Sequence, residues 1–583
     1  MNPYSVAVVF ACATSGFLFG YDIGIIDTVL KMPSFMRKFG TATEDGFELD
    51  SKAATDGNVV ASFLAGCVCG AALSSVLADW LGRKRSILVG AVLFSLGGAW
   101  QALSEDINPF FAARALSGVA VGLLSSVTPL YLSEISAARD RGRAVTIQQL
   151  MITVGILAAS CVNAAMFAYV PGTSDAQWRG ALGAQVLPGV FLSAVVLALP
   201  YSPRWLMLRG RDAEAARVLR DLRGVTVARA AAARADAEAA AAQGSGVSEK
   251  ARALAAVTGG GGLAAALARR HAALAAAEAS VTAEAADIRA SLDAERAAGE
   301  PSLRDLLWRP GKVRRAVLLA CALQALQQVT GINAVLYFAA DLFERAGVDR
   351  AAAATTLVIG NAALLVVGTL PGLYLVEVSG RRVLLLVGAA AMALCHLSIF
   401  LGQRFGVVGL ALFGMFAFTF SFSATWGPVV WVVQSEVIPL RARARGSALA
   451  TLTNWALNAV IGKCTPLVVE AIEGSTYLIF ASCMLAALVF VFFALPETMG
   501  RSLESMESLF ERAGDEMPAA VKAKAGDGPA AVENPVAAVA AKAAAESAAL
   551  LTAVAVTPPV ATPAADRRER VALAAGGIAM AAR

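Results

Sequence analysis

The chain has 583 residues, of which 57% are hydrophobic and only 16% charged, and its mean hydropathy is +0.63. Soluble globular domains average about 45–50% apolar and about 25% charged residues, so this composition excludes a soluble globular protein and describes one that crosses a bilayer repeatedly. The formal net charge of +5 is small, and its basic residues cluster between apolar runs, which argues for a topogenic role and against a nucleic-acid partner.

The first apolar run extends from about Tyr4 to Leu30, longer than the roughly 20 residues that cross a bilayer core. At its middle lies Gly16-Phe17-Leu18-Phe19-Gly20-Tyr21-Asp22-Ile23-Gly24. An Asp at the centre of a membrane helix costs roughly 2.5–3.5 kcal/mol, so such a group usually faces a cavity and marks a substrate or proton path; the plainer alternative is a polar residue that only pins helix packing. The run is too long for a signal-peptide core and lacks a basic leader, so a retained first helix is expected.

Hydropathy predicts six spans near 4–31, 57–78, 86–104, 109–134, 143–169 and 180–200, then six near 313–340, 352–378, 382–402, 408–436, 445–470 and 476–495. Two six-helix halves, residues 1–202 and 313–496, are the signature of a duplicated, all-α transporter fold with twelve transmembrane helices. The linker between them, 203–312, is rich in Ala, Arg and Glu and is interrupted by Gly259 to Gly262. Its composition predicts short surface helices joined by disorder, with no regular apolar stripe. The tail, 497–583, is largely low-complexity beyond Leu509, and disorder is expected there.

All eight cysteines lie in apolar runs without metal-ligand spacing and read as small buried packing residues. His271 and His396 are the only histidines, which leaves little for histidine-based catalysis; no enzyme activity and no metal are expected. Arg83-Lys84-Arg85, Arg139, Arg141, Arg143, Arg381-Arg382, Arg441, Arg443 and Arg445 all fall on one side of the predicted membrane. The positive-inside rule makes that side the cytosol and places both termini there. Two clusters repeat a pattern: Asp79-Trp80-Leu81-Gly82-Arg83-Lys84 after the second span and Glu377-Val378-Ser379-Gly380-Arg381-Arg382 after the eighth. An acid at a helix end, a glycine turn and paired basic residues would give each half a latch that must break when the halves rock.

At these residues the chain resembles the sugar porters of the major facilitator superfamily. The matching segments are Phe19 to Asp22; Asp79 to Arg83; Pro129 to Glu134 with Arg141-Gly142; Ser202 to Leu206; Gln327 to Asn333; Gly427-Pro428 with Trp431 and Glu436; and Pro496 to Arg501. They occur in family order over residues 1–505, outside the Ala-rich insertion and the tail. The resemblance implies sugar-contacting amides at Gln149, Gln327, Gln328, Asn333 and Asn454 and an aromatic platform at Trp431. It also implies a cytosolic gating network of Asp79, Arg83, Glu134, Arg141, Arg204, Glu377, Arg381, Glu436, Arg443 and Glu497.

The chemistry agrees, because a sugar hydroxyl both donates and accepts, as side-chain amides do. Gln327, Gln328 and Asn333 would fan around one broad side of a single helix at about 100° per residue; the plainer alternative for each amide is interhelical hydrogen bonding. Three positions depart from the family pattern. Leu365 stands where many members carry a further sugar-binding Asn, with Asn361 one turn away; Tyr201 replaces the usual acid before Ser202; and Asp27 replaces a small residue.

Arg114, a lone cation within the fourth predicted span, needs a carboxylate partner, and the matching pair in proton-coupled relatives implies Asp22. Separating that pair would favour proton uptake, making Asp22 the proton carrier and Arg114 its modulator. The expectation is a monomeric, multi-pass transporter of the plasma membrane that moves a monosaccharide such as glucose together with a proton. The proton gradient is its energy source, with no bound cofactor. Facilitated diffusion, a polyol substrate and a non-transporting sugar receptor are the alternatives.

Overall fold

The computed structural model describes residues 2–39, 52–137, 140–243, 249–298, 302–309, 311–337, 356–439, 442–499 and 505–510. Arg139, Arg441, Arg501 and the tail beyond residue 510 lie outside them. In chain order the long helices are α1 (Pro3–Val29), α2 (Thr55–Trp80), α3 (Arg83–Leu103), α4 (Ile107–Ile135), α5 (Arg141–Tyr169), α6 (Ala176–Ala198), α7 (Lys312–Leu336), α8 (Val358–Val378), α9 (Arg381–Arg404), α10 (Val408–Val437), α11 (Arg443–Ile472) and α12 (Thr476–Ala494). Among the described residues, eleven of these are long and apolar enough to cross a membrane. The exception is α11, whose middle carries Asn454, Asn458 and Lys463. Large apolar side chains such as Val76, Leu96, Phe413 and Phe493 point outward, as helix faces that meet lipid must.

Close backbone approach holds α1 against α5. Gly16, Gly20 and Gly24 form a ridge at i, i+4 and i+8, and a Cβ on Gly20 would lie 1.9 Å from the Ile152 carbonyl oxygen. Without a hydrophobic drive between helices inside lipid, such small-residue seams are what let helices associate. The halves meet where α5 packs on α8 and α2 packs on α11.

Besides the two-residue turn at Ala184–Gln185 in α6, two membrane helices are broken. The helical part of α7 ends at Gln328 and resumes at Ile332, with Gly331 between them at φ +87°, a conformation that favours glycine. The expected single helix carrying Gln327, Gln328 and Asn333 is therefore two pieces, and the rotation of about 100° per residue does not relate Asn333 to the glutamines. In α10 the break falls at Thr425, and Pro428 sits in the first turn of the second piece, where its missing N–H costs no helical bond.

The linker differs from its expectation. A helix at Asp212–Leu222 and one at Val225–Gln243 precede a single helix spanning Glu249–Ala298, which runs through the four glycines. Alanine propensity over so long a stretch offsets the cost of four glycines, about 1 kcal/mol each. An apolar stripe also exists: Leu274, Ala277, Val281, Ala285, Ile288 and Leu292 recur at three- and four-residue spacing and pack on Trp205, Leu206 and Leu219. Arg223 anchors this layer, gripping both oxygens of Glu284 at 2.9 and 2.5 Å and donating to the Ile135 carbonyl at the end of α4 at 3.0 Å. At the other end of the chain, Phe510 reaches the core, and its carbonyl accepts from Arg315 Nε and Nη2 at 2.9 and 2.6 Å.

The cysteines also depart from expectation. Cys12 and Cys67 are buried, but Cys69, Cys161 and Cys464 are exposed on helix surfaces, and all eight are free thiols. Among the described residues no cluster of His, Cys, Asp or Glu could hold a metal.

Candidate functional site

The two broken helices bring amides to the middle of the bundle. Gln327 Nε2 donates to the carbonyls of Trp426 and Gly427 at 2.9 and 3.2 Å, in the first turn after the break in α10. Asn454 Nδ2 donates to Gln327 Oε1 at 3.0 Å and to Gln324 Oε1 at 2.6 Å, tying α11 to α7. Across the break in α7, Asn333 Nδ2 donates to Gln328 Oε1. All five side chains are buried.

Gln149 approaches from the other half. A Cβ on Gly427 would lie 3.3 Å from Gln149 Nε2, so Gln149 and Gln327 meet the same glycine from opposite halves. Gln149 and Trp431 line one cavity with Phe19, Ser125, Gln148 and Ile152, which combines amides with an aromatic face. Trp455 closes its flank, donating from Nε1 to Ser125 Oγ at 3.0 Å and lying 5.2 Å from the Phe19 ring. The amides mostly satisfy one another, so an entering polyhydroxylated ligand would exchange amide–amide bonds for amide–hydroxyl bonds of similar strength.

Asp22 and Arg114 form a fully buried ion pair between α1 and α4, with Arg114 Nη1 donating to Asp22 Oδ1. The guanidinium lies 4.5 Å over the Phe63 ring, which adds a cation–π contact. Asp22 Oδ2 has no hydrogen-bond partner among the described residues. One oxygen of this buried carboxylate thus has no protein partner among the described residues, and an unsatisfied buried charge is costly.

At the bases of the helices, two networks match part for part. In the first, Arg83 Nη2 lies 2.9 Å from Glu134 Oε1, Arg83 Nη1 donates to Asp79 and to the Ala78 carbonyl, and Ser202 Oγ donates to Glu134 Oε2 at 2.5 Å. In the second, Arg381 Nη2 lies 2.9 Å from Glu436 Oε1 and 3.6 Å from Glu377, Arg381 Nη1 donates to the Val376 carbonyl, and Thr498 Oγ1 donates to Glu436 Oε2 at 2.6 Å. Gly82 and Gly380 have φ of +83° and +82°. Glu497 accepts from the amides of Arg381 and Arg382 at 3.0 Å each. Arg141 Nε donates to the Ser133 carbonyl at 3.1 Å, Arg204 is buried in the first turn of the Pro203–Leu208 helix, and Arg443 Nη2 donates to the Ile438 carbonyl at 3.4 Å. The networks touch across the halves at Gly142, where a Cβ would lie 2.3 Å from Glu377 Oε1. Tyr201 stacks on Trp205 and receives Lys84, 5.0 Å from its ring centroid, so the ring attracts cations where an acid was expected.

A family model described as sugar (and other) transporter matches residues 7–257 and 264–510. The chain belongs to the sugar transporter family. This sugar transporter family member is 31% identical over 514 residues to the low-affinity glucose transporter HXT4 of Saccharomyces cerevisiae, covering 86% of this chain and 79% of the relative. It is 30% identical over 519 residues to hexose transporter 2 of Kluyveromyces lactis, covering 86% and 81%. Among solved structures it resembles the major facilitator superfamily proton:xylose symporter XylE bound to 6-bromo-6-deoxy-D-glucose. The TM-score is 0.70 at 26% identity, and the match covers 87% of this chain and 99% of the other. The chain therefore has the major facilitator fold of twelve helices in two halves and is an integral, multi-pass transporter rather than an enzyme.

Sequence reasoning missed several polar groups of this family member. Gln324 is three residues before Gln327, on the same helical face, and its Nε2 donates to Gln434; Gln434 Nε2 in turn donates to Ser447 Oγ at 2.8 Å. The i, i+3, i+4 spacing of Gln324, Gln327 and Gln328 is a signal that would have found it. Leu365 is buried in the apolar core, and Asn361 is fixed by Thr419, whose Oγ1 donates to Asn361 Oδ1 at 2.7 Å.

Proposed function

We propose that this transporter moves a hexose such as glucose across the plasma membrane by alternating access, one proton accompanying each sugar, with Asp22 as the proton carrier and Arg114 as its modulator. The observation that carries this reading is the meeting of Gln149 and Gln327 at Gly427, between the two halves, with Trp431 and Asn454 beside it. Amides and an aromatic face suit the hydroxyls and C–H surface of a sugar ring. Gln328 and Asn333, bonded across the hinge of α7, complete the proposed set, because movement at Gly331 would change their reach.

Proton coupling is supported by the buried Asp22–Arg114 pair with its unsatisfied carboxylate oxygen. The solved neighbour that is a proton:xylose symporter points the same way, while the glucose and hexose transporter relatives support only the sugar. In the proposed cycle, rocking of the halves breaks the Arg83–Glu134 and Arg381–Glu436 networks on the cytosolic side, where both termini lie. A single chain contains both halves and suffices as a monomer in the lipid bilayer; no bound cofactor is required.

Labelled glucose uptake into proteoliposomes under an imposed inward proton gradient tests the proposal. Accumulation that collapses with a protonophore is the expected result. Uptake that only equilibrates would replace symport by facilitated diffusion, and sugar binding without uptake would replace transport by reception.

A further inference from the structure

The Arg83 and Arg381 networks differ at one position. Pro200-Tyr201-Ser202 follows α6 as Pro496-Glu497-Thr498 follows α12, and Ser202 and Thr498 act alike, each donating to its buried glutamate. Glu497 adds a carboxylate at the start of α9, where a Cβ on Gly380 would lie 2.5 Å from Glu497 Oε2. At the start of α3 the corresponding neighbour of Gly82 is the Trp205 ring, 2.6 Å from a Cβ there, with the Tyr201 ring stacked on it at 5.4 Å. The first half therefore keeps its cations and lacks the acid. Lys84 Nζ and the guanidiniums of Arg85 and Arg211 lie 5.0, 6.0 and 5.7 Å from the Tyr201 centroid, and Arg209 lies 5.4 Å over Trp205. Of these cations only Arg211 pairs with a carboxylate among the described residues, that of Glu214. The other acids nearby, Asp79 and Asp212, are engaged by Arg83 and Arg289.

We propose that this cluster, centred on the Tyr201–Trp205 pair, binds the phosphate of an anionic phospholipid from the adjacent leaflet. A cation–π contact neutralises no charge, so Lys84, Arg85 and Arg209 leave a surplus that a phosphate matches, its oxygens accepting from ammonium and guanidinium together. Donors are free to do so. Arg85 makes no hydrogen bond to a described residue; Lys84 commits one N–H to the Leu197 carbonyl at 2.8 Å, and Arg209 commits Nη2 to the carbonyls of Asp79 and Trp80 at 3.2 and 2.7 Å. A purely topogenic role needs basic residues on this side of the membrane, but not their convergence on one aromatic pair. The place selects a lipid over a soluble phosphate. Trp80 at the end of α2 and Leu197 near the end of α6 are 68% and 65% exposed, apolar side chains at the membrane boundary beside the cluster, and Arg85 and Arg209 are exposed with them. The positive-inside rule expects this side to be cytosolic, where the leaflet carries anionic lipid. A bound headgroup would bridge the α2–α3 turn to the start of the linker, next to the Arg83–Glu134 pair.

The test titrates the purified full-length protein, in neutral detergent, with dioctanoyl phosphatidylglycerol or dioctanoyl phosphatidylcholine. Bound lipid is counted by native mass spectrometry, and thermal unfolding checks the fold. The wild type should take up phosphatidylglycerol in preference to phosphatidylcholine. Tyr201→Glu, which restores the carboxylate that Glu497 supplies in the other half, should weaken phosphatidylglycerol binding by about tenfold or more, because the cations gain an internal partner. Arg85→Ala should weaken it about fivefold, the usual worth of one cation at an anionic membrane surface, and decides the matter if Tyr201→Glu fails to fold. Arg309→Ala, which removes an exposed cation just before α7, should leave it unchanged. No preference for phosphatidylglycerol in the wild type, unchanged binding in folded Arg85→Ala, or an equal loss in Arg309→Ala would each overturn the site. Inorganic phosphate or glycerol phosphate displacing the lipid at equal concentration would assign the cluster to a soluble phosphate and overturn the lipid. None of these readings involves sugar, so their outcome is separate from that of the uptake assay.

Discussion

His396 Nε2 lies 2.8 Å from the carbonyl oxygen of Thr330, at the point where α7 breaks. The break strands that carbonyl, and a histidine on α9 supplies a donor from behind, with Phe418 and Phe480 packed on the imidazole at 4.5 and 5.5 Å. A Cβ on Gly331 would meet the Phe480 ring at 3.0 Å, so the hinge is held by both polar and steric contacts.

His396→Leu should therefore orphan the Thr330 carbonyl and cost about 1–3 kcal/mol, the usual penalty for a buried unpaired polar group. Thermal unfolding in detergent should show a lower midpoint for His396→Leu and a smaller loss for His396→Gln, which can still donate. Equal midpoints for wild type and His396→Leu would show that the contact is dispensable.

Gln328→Ala and Trp431→Ala should weaken glucose binding without unfolding the protein. Loss of a neutral hydrogen bond or an aromatic contact amounts to about 1 kcal/mol, roughly a fivefold change in affinity. Binding titrations with both variants and the wild type are the check, and unchanged affinity in both would remove this region from the sugar site.

Arg381→Ala leaves Glu436 buried with only Thr498 as a hydrogen-bond partner among the described residues. Removing one member of a buried pair typically costs about 3–5 kcal/mol, so this variant should unfold at markedly lower temperature and transport slowly. The matched variant Arg83→Ala should behave alike, because among the described residues Glu134 would keep only Ser202 as a hydrogen-bond partner. A strongly unequal pair of midpoints would argue against equivalent roles for the two networks.

One proton moving down about 100 mV supplies roughly 2.3 kcal/mol, enough for roughly 50-fold accumulation of sugar. Asp22→Asn should abolish this accumulation while leaving exchange of labelled sugar between the two sides. Concentrative uptake by this variant equal to that of the wild type would remove Asp22 from the coupling.

The twelve helices were legible because bilayer thickness imposes a length on each apolar run, and because Gly82-Arg83 and Gly380-Arg381 repeat at matching places in the two halves. The break at Gly331 was not legible, since an apolar run reads as continuous helix whatever its backbone does, and it invalidated the angular relation between Gln328 and Asn333. The stripe from Leu274 to Leu292 was hidden by alanines, which fill both its apolar and its exposed positions. Gln324 carried a readable spacing, whereas the pairing of Trp455 with Ser125 depends on how the halves meet and leaves no local signature.

The most direct measurement of the central claim is proton movement driven by sugar. Glucose added outside proteoliposomes loaded with a pH-sensitive dye, with no imposed gradient, should acidify the lumen in wild-type vesicles and leave it unchanged in Asp22→Asn vesicles. Labelled glucose entering wild-type vesicles with no change in lumenal pH would contradict proton coupling through Asp22.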